Sequence, residues 1–181
     1  NATHLSWFAI LHGRLPVFWD EGRKRAEAAP LLSLLHNADY QVEVRDGGTF
    51  DYLDMELTNF GDGEATQVFE HIPNTDPQRL LSTPEREVQV FSRLHDSVTQ
   101  SSPGGHFWLT GIDSTHYPYG WHEDWKPPFD NYEENPIFPP LPSPEQIQRV
   151  HRRYLNSVAW DDHLIGGFIN FLKSSGRFEE S

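Results

Sequence analysis

The chain has 181 residues, with 27 Asp and Glu against 14 Lys and Arg, a net charge of −13, and no cysteine. That length fits one domain or part of a larger one, and the charge excludes nucleic acid and direct docking on an anionic lipid surface. Without cysteine there is no disulfide, thiolate metal site or cysteine nucleophile, and no apolar run approaches the ~20 residues of a membrane span.

Thr3 to His12 place Leu5, Phe8, Ala9, Ile10 and Leu11 on a short apolar helix that Gly13 ends. Thr3 stands at its front, where a hydroxyl caps free N–H groups and where the helix dipole favours an anion. A second helix is expected from about Glu21 to Asn37, which Pro30 either interrupts or reduces to a loop followed by a shorter helix. Tyr40 to Val44 alternates with period two and reads as a strand closed by Asp46-Gly47-Gly48. Helix, short turn and strand make one step of a doubly wound sheet.

Thr49 to Thr75 has no sustained period. Thr83-Pro84-Glu85 opens a helix with an apolar stripe of Val88, Phe91, Leu94 and Val98, stopped by Ser101 to Gly105. His106 to Ile112 follows as an apolar run bounded by Gly, the pattern of an interior parallel strand. Reactive groups in open α/β sheets gather past the carboxyl ends of such strands. The polar set there is Asp113, Ser114, Thr115, His116, His122, Glu123 and Asp124. His116 is the residue to watch, as an oxyanion contact or proton donor. His116 and His122 with one carboxylate would be a metal set, but their spacing matches no local metal template.

From Tyr117 to Pro142 the chain is rich in proline and aromatic residues, including Trp121, Trp125, Phe129, Tyr132, Pro136, Phe138, Pro139 and Pro140. So many rings predict a packed loop rather than disorder. Ser143-Pro144-Glu145-Gln146 is a capping box, and the long helix after it carries Ile147, Val150, Tyr154, Val158, Ile165, Phe168, Ile169 and Leu172 toward Gly176. Asp161, Asp162 and His163 interrupt that stripe and read as a solvated face. The first residue is Asn rather than Met, so the chain is expected to begin within a longer protein.

Four stretches together resemble the sulfatase-like hydrolases of the alkaline phosphatase superfamily, above all bacterial inner-membrane sulfatase-like proteins and lipid phospho-transferases. They are Asn1 to Gly13, Leu32 to Val44, Leu109 to Tyr119, where the Asp-Ser-Thr-His-Tyr-Pro-Tyr of residues 113–119 is the most specific match, and Tyr154 to Phe168. The resemblance implies an α/β fold, an alkaline-phosphatase-like doubly wound sheet incomplete at both ends, with residues 1–181 as the central part of one sulfatase-like domain. By position it makes Thr3 the catalytic nucleophile and a metal-contacting residue, and His116 the substrate-binding histidine on the transferred group. It further implies a divalent metal (Zn, Mn, Mg or Ca) in the full-length protein, none held tightly by this chain alone. The substrate would be a small-molecule or lipid head-group ester of phosphate or sulfate. The setting would be periplasmic or extracytoplasmic, with membrane attachment through segments outside the chain.

The departures are specific. Thr3, Leu5 and Trp7 replace the Cys or Ser, Pro and Arg of sulfatases proper, and Asp46-Gly47-Gly48-Thr49 stands where a basic Gly-Lys-Trp-His loop belongs. The family's acidic metal ligands lie before Thr3 and after Ser181. A non-catalytic sensing or interaction domain of a membrane protein is therefore the alternative reading.

Overall fold

A computed structural model describes residues 3–48, 50, 52–72, 82–134 and 141–180. The chain divides into two compact units, each built from two stretches: residues 1–73 with 96–111, and residues 74–95 with 112–181.

The first unit holds a three-stranded, all-parallel sheet in the order β2-β1-β3. Helix α1 is Thr3–His12, ending at Gly13 with φ 61°. The expected second helix is two: α2, Trp19–Arg25, and α3, Pro30–Asn37, with the proline at the first position of α3. There its missing N–H costs nothing. Strand β1 is Gln41–Asp46. The stretch left without a period contains helix α4, Met55–Phe60, and strand β2, Val68–His71. Strand β3, His106–Gly111, pairs with β1 along its whole length.

The interior strand is thus β1, and β3 lies at an edge among the described strands, half-buried rather than enclosed. The reason lies in the two faces of the sheet, which alternate along each strand. Val42 and Val44 face an apolar core with Phe8, Leu11, Leu32, Phe50, Met55 and Phe60, against which Phe69, Phe107 and Leu109 pack. The other face is polar. Arg45 donates to Glu43 at 2.9 Å, to Ser97 at 3.2 Å and to Glu70, and Ser97 donates to Glu43. Buried charge is tolerable in a central strand because each charged group has a partner.

In the second unit, α5 begins at Thr83 and runs as Thr83–Gln100 into the first unit's second stretch. Its stripe differs from the expected one: Val88 is exposed, and Glu87, Val90, Phe91 and Leu94 are buried. Helix α6, Pro144–Ser174, has the capping box, with Ser143 Oγ accepting from Gln146 N–H and Ser143 N–H donating to Gln146 Oε1. Ile147, Tyr154, Val158 and Ile165 are exposed, and the buried positions are Asn156, Ser157, Trp160 and Asp161. Asp161 therefore does not belong to a solvated face: it is 7% exposed. Asp162 and His163 are exposed, as expected.

The aromatic loop is packed across its described part. Trp121 meets Tyr132 edge-on, Tyr119 meets Tyr154, and Trp125 meets Trp160. Asn156 fixes Phe129 by both amide bonds, and Arg153 donates to the carbonyls of Pro118, Glu133 and Glu134. Pro136, Phe138, Pro139 and Pro140 lie outside the described residues, as do Asn1 and Ala2.

Candidate functional site

The turn after β3 is built from successive local bonds. His116 N–H donates to Asp113 O at 2.8 Å, Tyr119 N–H to His116 O at 2.8 Å, and Gly120 N–H to Ser114 O at 3.0 Å. What anchors it is Glu87 of α5, a carboxylate only 1% exposed. Glu87 Oε1 accepts from the N–H groups of Asp113 at 2.5 Å and Ser114 at 2.6 Å. Its Oε2 accepts from the Ser114 hydroxyl and from Trp160 Nε1 at 3.0 Å. An ionised carboxylate only accepts, so four donors on two oxygens suit it. Ser114 is thereby committed to Glu87 and is no partner for His116 in a catalytic pair.

His116 is exposed, and its Nδ1 lies 3.0 Å from Tyr117 O. A carbonyl can only accept, so Nδ1 carries the proton and Nε2 is the nitrogen left to meet a ligand. The residue lines a cleft of about 560 Å³ within the second unit, whose wall includes Thr83, Arg86, Tyr117, Trp121 and Arg153. Arg86 Nη2 donates to Thr83 Oγ1 at 3.3 Å. The Arg153 guanidinium lies 5.1 Å over the Trp121 ring. Burial pulls its pKa below the usual arginine value, opposed by Tyr132, Glu133 and Tyr117, but a guanidinium stays protonated throughout. Two permanent cations and an imidazole around one cleft suit an oxyanion.

The same unit holds Asp161 of α6, the residue after Trp160. Burial pushes its pKa up to about 7, the negative charges of Glu87 and Asp113 add to that, and a hydrogen bond with the Thr115 side chain opposes it. Its Oδ1 is buried and has no hydrogen-bond partner among the described residues.

Thr3 belongs to the first unit and His116 to the second, so each is described with its own neighbours. Thr3 is half-buried at the first residue of α1. The adjacent His4 ring stands edge-on to Trp19 at 4.9 Å and to Tyr52 at 6.0 Å. Where the resemblance expects a basic loop, Asp46 folds the chain on itself: buried, it accepts from Gly48 N–H at 3.0 Å and Phe50 N–H at 3.2 Å.

Toward the implied divalent metal, Thr3 offers one oxygen. Among the described residues no three His, Cys, Asp or Glu side chains converge as a ligand set. His122 Nδ1 accepts instead from Asp124 N–H at 3.3 Å, and its ring stacks on Trp160 at 6.2 Å.

Four residues of the second unit were not singled out from sequence: Arg86, Glu87, Arg153 and, in its buried role, Asp161. Glu87 had a detectable signal. It falls three and four residues before Val90 and Phe91, so a carboxylate stands in the inward row of an amphipathic helix. The chain matches no family model, no curated protein and no solved structure.

Proposed function

We propose that the protein is a sulfatase-like, alkaline-phosphatase-type hydrolase or phospho-transferase that acts on a phosphate or sulfate ester. The observation that carries this reading is the exposed imidazole of His116 in one cleft with Arg86 and Arg153, on a turn held by the buried Glu87. With both ring nitrogens protonated, His116 donates from Nε2–H to the transferred oxyanion, and the arginines supply the fixed positive charge. The resemblance makes Thr3 the nucleophile: its oxygen would displace the alcohol of the ester, and water or an acceptor alcohol would then release the covalent intermediate. When bound, a divalent metal supplies Lewis-acid activation of the nucleophile. The resemblance puts its acidic ligands outside residues 1–181 and the protein outside the cytoplasm, on an inner membrane.

On the full-length protein supplied with Mn²⁺ or Zn²⁺, Thr3→Ala abolishes turnover of an aryl phosphate or aryl sulfate. His116→Ala lowers it by about 10² to 10³, the usual cost of one oxyanion contact. Unchanged turnover in either variant removes that residue from the mechanism. The flanking sequence is a second check: an acidic strand upstream and an Asp-His strand downstream support catalysis, and their absence sinks it.

The second reading is a non-catalytic sensing or interaction domain with the same fold. It is favoured by Asp46, which closes on Gly48 and Phe50 the loop where the resemblance expects basic residues. On that reading the full-length protein binds sulfate or phosphate without turning over an ester.

A further inference from the structure

Three carboxyl groups are linked at the His116 turn. Glu87 of α5 accepts from Asp113 N–H and from Trp160 Nε1 of α6. Asp161, the residue after Trp160, has a hydrogen bond with the Thr115 side chain of the turn and is acted on by the charges of Glu87 and Asp113. They are not equivalent. Glu87 is saturated with four donors. Asp161, 7% exposed, has the Thr115 side chain as hydrogen-bond partner, while its Oδ1 is buried without one. On Trp160, the residue before it in α6, lie the rings of His122 and His163. Among the described residues, the groups that act on Asp161 are Glu87, Thr115 and Asp113, none of them a cation.

We infer that Asp161 is a positioning residue, which holds a proton beside the Glu87 carboxylate and whose deprotonation loosens the turn that carries His116. The physical step is simple. With the proton on, one negative charge is buried, and the backbone of Asp113 and Ser114 neutralises it. With the proton off, two negative charges lie side by side out of water, and the second has a single hydroxyl to solvate it. The inexpensive relief is for Asp113 and Ser114 to release Glu87, since both belong to an irregular turn with no sheet or helix bonds to lose. Asp161's pKa of about 7 sets the release across neutrality.

The inference reaches ligand affinity only if the anion-site reading of the cleft holds, because the turn is what presents His116 to that cleft. Its test uses no ligand, so failure of one leaves the other standing. Amide hydrogen exchange is followed by mass spectrometry on the intact protein at pH 6 and pH 8, corrected for intrinsic base-catalysed exchange. The peptide spanning 113–116 is expected to lose protection about tenfold or more, the equilibrium equivalent of one pKa unit. Asp161→Asn, which is neutral at both pH values, is expected to abolish the difference. Thr115→Val removes the hydroxyl that favours the ionised form, so the transition moves to higher pH. Equal protection at pH 6 and pH 8 in the wild type, or a wild-type difference that survives in Asp161→Asn, overturns the inference. So does a Thr115→Val transition at the wild-type pH.

Discussion

At the scale of single residues, the second unit depends on one carboxylate. Glu87→Gln keeps the shape but turns one accepting oxygen into a donor facing other donors. The expected loss is about 2 to 4 kcal/mol in folding stability, measurable by urea denaturation. Asp161 has the opposite character. Its folded-state pKa of about 7 stands above the usual carboxylate range, so the native state binds the proton more tightly than the unfolded chain. Its contribution is then full at pH values below about 4, declines as pH rises to about 7, and changes no further above that. A thermal-denaturation series is expected to show the wild type losing stability relative to Asp161→Asn across that interval. Neither carboxyl was singled out from the sequence, although Glu87 had a signal there and Asp161 was read as part of a solvated face. Both sit in helices whose exposed faces are charged, and only the rows they share, Glu87 with Val90 and Phe91 and Asp161 with Ser157, separate them from solvated neighbours such as Asp162.

At the scale of elements, the ends of helices were the most legible feature, because capping chemistry is local. Thr3 and Gly13 bracket α1, Pro30 opens α3 and Ser143 opens α6. Ser143→Ala removes half of a reciprocal cap and is expected to cost about 1 kcal/mol. Strand β2 was missed because Val68 to His71 is only four residues long and lies in a turn-rich stretch with no room for alternation to register. The rank of the strands was also misjudged. Among the described strands apolar β3 is at the edge and β1, with Glu43 and Arg45, is in the middle, because ion pairing to Glu70 and hydrogen bonding to Ser97 are properties of the folded unit and not of either strand alone. The turn after α4 is fixed by Gly61. Its φ is +61°, and a Cβ there would sit 2.6 Å from Ala28 N. Backbone cannot yield as a side chain tip can, so Gly61→Ala is expected to lower stability by about 2 to 3 kcal/mol in denaturant titration.

At the scale of the whole molecule, the α/β class was legible from alternating helix and strand patterns, whereas the division of the chain was not. Composition has no break at residues 73, 95 or 111, and the units are defined by which segments return to one another. The first unit is incomplete without residues 96–111, since β3 supplies the whole second neighbour of β1. A fragment ending at residue 73 is therefore expected to unfold without a cooperative transition, as followed by circular dichroism during heating. Restoring residues 96–111 through a linker is expected to bring the transition back.

That same pairing has a consequence for how the chain is made. During synthesis β1 is finished at Asp46, but its partner β3 does not begin until His106. At ordinary translation rates of about 5 to 20 residues per second, residues 47–105 take roughly 3 to 12 s to appear. Throughout that interval one side of the central strand offers unpaired N–H and C=O groups to any extended segment nearby, the template that promotes mispairing. The expected vulnerability of this protein is therefore in its biogenesis, and slow translation or a stalled ribosome before residue 106 would expose it most.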